Sequence, residues 1–140
     1  MHGFTSLLQT QPLVFFHLVT ASSALVIGIV LMTRRKGTLA HRRLGWTWVA
    51  LMGATALASA FMRNQHGSNL AGFTTIHLFT VLVAVMLPLG IGYIRRGNVV
   101  GHRKTMRGLF FGACVLAGVF TLMPGRFLGQ LLWRQWLGVL

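Results

Sequence analysis

Two short basic stretches, each enclosed between long apolar runs, constrain this chain more than any other feature. Arg34 to Gly45 reads RRKGTLAHRRLG and Arg95 to Gly108 reads RRGNVVGHRKTMRG. Each follows a histidine set inside an apolar run, and both His17 to Arg35 and His77 to Arg95 are eighteen residues apart. A chain that turns back through a short polar segment after an apolar run builds an antiparallel helix pair. Two such units at matched spacing predict a duplicated pair of membrane helices.

The runs themselves are Pro12 to Thr33, Leu44 to Met62, Phe73 to Ile94, and Leu109 to Met123, the last extended backwards towards His102. A helix rises 1.5 Å per residue and a bilayer core is about 30 Å thick, so roughly 20 residues cross it. With 54% hydrophobic and 9% charged residues, the chain lacks the polar surface of a soluble domain. The expectation is all-α: a polytopic, four-transmembrane-helix up-and-down bundle forming a single domain over residues 1–140. Repeat one covers about 12–62 and repeat two about 73–126. The leucine- and tryptophan-rich tail, 127–140, is too short to span and is expected to lie as a helix in the interface.

The repeat shows in detail as well as in spacing. HLFT at 77–80 answers HLVT at 17–20, and the offset is 60 residues at His17/His77 and Gly37/Gly97, then 61 at His41/His102. One extra residue therefore sits in the second basic stretch. Units that each cross twice share one orientation about an axis along the membrane normal. Pro88 predicts a kink or local unwinding in the third run. Trp46 and Trp48 are expected at headgroup depth, and the small residues Gly53 to Ala60 as a close-packing face. GLFFG at 108–112 has the spacing of a helix-packing motif.

There are thirteen Lys and Arg and no Asp or Glu, and ten of the thirteen cations lie in the two basic stretches. The positive-inside rule then puts both turns in the cytoplasm, and the two termini and the Arg63 to Gly72 loop outside. The first run lacks a basic n-region, so it is expected to stay as an anchor rather than be removed as a signal. The same charges fit anionic headgroups, at about 1 kcal/mol per basic residue near the surface, and make nucleic acid an unnecessary partner. Without carboxylates, acid pairs, Ser-His-Asp triads and side-chain calcium sites are excluded. Cys114, alone in an apolar run, reads as a packing residue.

Four histidines remain to be explained. In an up-and-down bundle His17 and His77 come to one outer depth on diagonal helices, and His41 and His102 to the cytoplasmic rim. Imidazoles facing across a bundle suit axial ligation of b-type haem, one or two per chain, so all four are candidate metal ligands. Arg42, Arg43, Arg103 and Arg35 would pair with propionates at the inner side, and Arg126, Arg63 and His66 at the outer. Competing with this, the outer pair reads as interhelical hydrogen bonds and the inner pair as rim residues beside lipid phosphates.

HRRLG at 41–45, SAF at 59–61, HLF at 77–79, HRKTMRG at 102–108 and MPGR at 123–126 resemble the prokaryotic membrane-protein family called domain of unknown function 2306. The resemblance implies a four-span protein of the bacterial cytoplasmic (inner) membrane and brings no activity or catalytic residues with it. More loosely, the paired histidines are similar to those of four-helix membrane cytochromes b. The functional expectation is a membrane haem protein or subunit that carries electrons, with quinone or a redox subunit as partner. Whether it is an enzyme stays open. The alternative is a haem-free accessory subunit docked on a larger complex or on anionic lipid. A small transporter is a third reading, disfavoured by the lack of an intramembrane carboxylate or lysine.

Overall fold

The structure is a computed structural model, and it describes residues 9, 12–61, 75–122, 133 and 137–138. Among these every regular element is helical. Helix α1 spans Pro12–Thr33, α2 Leu39–Phe61 and α3 Thr75–Arg95. The last path begins as α4, Val99–Leu109, widens into a π-helical stretch at Phe110–Val115, and ends as α5, Leu116–Thr121. Three helices are long and apolar enough to cross a membrane: α1, α2, and α3 from His77. The fourth path is helical throughout but divided, and its opening turns are polar.

The two turns are built alike. Gly37 and Gly97 both adopt positive φ, 82° and 76°, the left-handed geometry that ends a helix without a Cβ clash. After Gly97 the chain closes a Schellman motif, with Asn98 N–H donating to Tyr93 O at 2.9 Å and Gly97 N–H to Ile94 O at 3.1 Å. The next helix is capped at once. Thr38 Oγ1 accepts from His41 N–H at 3.1 Å, and Asn98 Oδ1 accepts from Gly101 N–H at 2.9 Å. Both caps fall at an offset of 60. The extra residue of the second stretch therefore lies beyond the turn, in the first turn of α4, and moves His102 about 100° around its helix relative to His41.

Each short turn makes its flanking helices antiparallel neighbours, α1 with α2 and α3 with α4. Helix α2 also packs on α3, and the π-helical stretch closes the ring by packing on α1. Along the axis lie Ala24, Leu31, Trp48, Met52, Val83, Leu87, Leu109, Phe110 and Ala113. Leu109 and Ala24 are wholly buried. A π-helix makes a wider turn than an α-helix, and here it lets the consecutive residues Leu109 and Phe110 both face inward. Phe110 fills the space left by Gly28, where a Cβ would stand 2.5 Å from its ring and 3.0 Å from Trp48 Nε1. The Trp48 indole donates to Ala24 O at 3.0 Å.

Two expectations change at this point. Trp46 is 56% exposed but Trp48 only 4%, because residues two apart on a helix point about 200° apart. Only the first of the pair is a surface ring. Pro88 does not unwind α3, which runs unbroken to Arg95; the ring accepts helical φ and removes one hydrogen bond. The small-residue faces pack only in part, since an added Cβ at Gly53 would meet nothing within 4 Å and Ala60 is exposed. Ala58 and Ser59 are buried, and Gly108 and Gly112 face Met86 and Leu82 of α3.

The outer surface of this ring is apolar. Val26, Leu57, Leu78, Val81 and Val85 are each about 60% exposed, and at most 22% of any crossing window is buried within the protein. A surface of this kind is solvated by hydrocarbon.

Candidate functional site

Polar side chains are gathered in two layers, one at each end of the packed axis. The outer layer begins at His17, half-buried one turn into α1, whose Nδ1 lies 3.1 Å from Thr55 O on α2. A carbonyl can only accept, so Nδ1 carries a proton in this contact. Beside it Thr20 is buried and turns its hydroxyl back to Phe16 O and His17 O, both at 3.0 Å. Further along α2, Ser59 Oγ donates to Ala56 O at 2.9 Å and lies 2.6 Å from Thr80 Oγ1 on α3. Either hydroxyl can be the donor in that contact. His77 is half-buried one turn before Thr80.

At the other end His102, half-buried on α4, brings Nδ1 to 2.9 Å from Gly90 O on α3. The same argument puts a proton on Nδ1 of His102. Burial, and after it the charges of His102 and Lys36, push the His41 imidazole below its usual range. Its Nδ1 is buried without a hydrogen-bond partner. Lys36 folds back so that Nζ donates to Met32 O at 2.7 Å, placing a cation on the last carbonyls of α1. Arg35, Arg42, Arg43 and Arg103 are all exposed around this end.

The structure thus commits His102 Nδ1 to α3 and His17 Nδ1 to α2, and it leaves His41 Nδ1 without a hydrogen-bond partner. Arg126, Arg63, His66 and the interfacial tail lie outside the described residues, apart from Trp133, Leu137 and Gly138. Trp133 Nε1 donates to Leu122 O at 3.1 Å. Sequence reasoning missed the hydroxyl layer of Thr20, Thr55, Ser59 and Thr80. Its only signal was the presence of threonine and serine inside apolar runs, where an unpaired hydroxyl is costly.

No group of three or more His, Cys or acidic side chains that could chelate a bare metal ion occurs among the described residues. Haem makes a smaller demand, because the macrocycle supplies four nitrogens and the protein one or two. A ring whose Nδ1–H is held by a carbonyl and whose Nε2 is free is the form in which histidine ligates a metal. His17 and His102 have it. Between the layers, however, Trp48, Leu109 and Phe110 fill the axis, leaving no room there for a planar group.

A ring of helices with apolar outer faces, joined at its ends by polar layers, is a membrane protein. The chain belongs to the family described as a predicted membrane protein, DUF2306, whose model matches residues 14–139. Neither a curated protein nor a solved structure matches it, and no match carries the looser similarity to cytochromes b.

Proposed function

We propose that this chain is a four-span protein of the bacterial inner membrane, built from a duplicated helix pair, that holds haem b on its histidines and carries electrons. The observation behind this reading is the matched state of His17 and His102. One lies in each half of the chain, and each commits Nδ1–H to a carbonyl of a neighbouring helix while leaving Nε2 free. His77 would be the second ligand in the outer layer and His41 the second in the inner. Bound haem supplies one-electron chemistry at a potential set by its ligands and surroundings. Arg42, Arg43 and Arg103 stand exposed near the inner histidines, ready to pair with propionates; Arg126 is assigned that role at the outer side. Quinone or a neighbouring redox subunit would be the partner. By the positive-inside rule, the basic turns would lie in the cytoplasm with the inner layer, and the termini outside.

The test is the visible spectrum of the protein purified in mild detergent, before and after dithionite. A Soret band with sharp α and β bands on reduction is the expected result, with pyridine haemochrome counting one site or two. A colourless preparation, still colourless after expression with a haem precursor, would remove the haem reading.

A second reading is favoured by the filled axis. Trp48, Phe110 and Gly28 interlock without a cofactor, as expected for a haem-free accessory subunit that meets a larger complex or anionic lipid through its basic rim.

A further inference from the structure

Two grooves run along the outer face of α3 and share a floor. The first, about 380 Å³, lies between Trp46, Leu87, Pro88, Ile91, Gly92 and Arg95. The second, about 360 Å³, lies between Val85, Pro88, Leu89, Gly92, Tyr93 and Arg96. Pro88 and Gly92 form the ridge between them, and each groove ends on an arginine at the same end of the helix. At Gly92 an added Cβ would meet nothing within 4 Å, so the hollow is open rather than filled by a neighbour.

We propose that these grooves hold the two acyl chains of one anionic phospholipid, its phosphate between Arg95 and Arg96, from the leaflet that meets the basic turns. The walls are apolar and face hydrocarbon. The cations at the ends have no counter-charge in the protein, because the whole chain lacks Asp and Glu. Neighbouring arginines without a carboxylate in the chain favour an external anion at the headgroup level, and a phosphate can accept from both guanidinium forks. A neutral isoprenoid would leave both charges unpaired, and a second copy of the chain would oppose cations to cations. Trp46, largely exposed at the border of the first groove, stands where an indole meets the headgroup region. Basic pockets between membrane helices select anionic headgroups in this way. The proposal rests on α3 being a membrane span and is independent of haem.

The test uses the full chain in vesicles of phosphatidylcholine containing a minor fraction of either brominated phosphatidylglycerol or brominated phosphatidylcholine. Bromine quenches indole fluorescence on contact, and the difference between wild type and W46F isolates Trp46. The expected result is stronger quenching by the anionic lipid. R95Q/R96Q should lower that preference about 25-fold, at about fivefold per arginine. G92L fills the hollow without meeting a neighbour and should reduce quenching by both lipids, with helical content and elution unchanged. R34Q/R35Q, which removes the same charge from the other turn, should keep most of the preference, because neither side chain borders a groove.

Equal quenching by the two lipids in wild type would overturn the proposal. So would an R34Q/R35Q loss as large as that of R95Q/R96Q, since the preference would then be general attraction to the rim. Retention of the chain in carbonate-washed membranes tests the span separately, so a failure of the site and a failure of its premise are distinguishable.

Discussion

At the scale of single residues, the histidines can be separated into positioning and ligation by a substitution that keeps one ring nitrogen. An asparagine amide can reproduce the Nδ1–H donor, so H17N and H102N would retain the bonds to Thr55 O and Gly90 O while deleting Nε2. Pigment should be lost in both variants with thermal stability nearly unchanged; full haem occupancy in both would assign these rings to structure alone. Gly28 gives a second residue-scale prediction. Replacing a helical glycine by alanine ordinarily gains up to about 1 kcal/mol, but here the new methyl would lie 2.5 Å from the Phe110 ring. That ring is held in a packed layer beside Trp48, so G28A should instead destabilise the protein by about 1–3 kcal/mol, measured as a lower melting temperature in detergent. Both environments are hidden in sequence. His17 and Gly28 are set in apolar runs, and nothing local tells which carbonyl or which ring lies opposite.

At the scale of elements, the widened stretch at Phe110–Val115 is the departure from regular structure with the clearest consequence. A π-bulge behaves as one residue inserted into an α-helix. Removing an exposed residue from it, Phe111, should restore α-geometry while leaving the flanking faces in register. Removing the exposed Val26 from α1 should rotate everything after it by about 100°. The first deletion is expected to elute as a monodisperse protein with intact helical content, and the second to aggregate or lose cooperative melting. Equal tolerance of the two would show that the π stretch has no register role. The C-terminal boundary of α1 at Thr33 was readable to the residue, from the basic turn. Helix α2 begins at Leu39, earlier than the apolar run does, because the Thr38 cap and not hydropathy starts it. The π stretch had no local sign beyond the flanking glycines, since its cause is the demand that Leu109 and Phe110 both pack inward.

For the whole molecule, charge sets orientation. With ten cations in two turns and no acidic residue anywhere, both turns should face the cytoplasm. A cysteine placed at Lys104 in a C114A background tests this with an impermeant maleimide. K104C is expected to label in inverted vesicles and to stay unlabelled in intact spheroplasts. The opposite pattern would reverse the topology and move the lipid site to the other leaflet.

Sequence alone determined the helical class, the membrane setting, the two turns and the family, because each follows from local quantities: run length, charge position, a left-handed glycine and a capping side chain. Tertiary structure alone decided that Trp48 turns inward while Trp46 stays outside, that His17 bonds to α2 and His102 to α3, and that Pro88 and Gly92 line two grooves ending on arginines. Those facts depend on rotation about helix axes and on which faces meet. One helical sequence offers several faces to its neighbours, and only the packing of all the helices together selects among them.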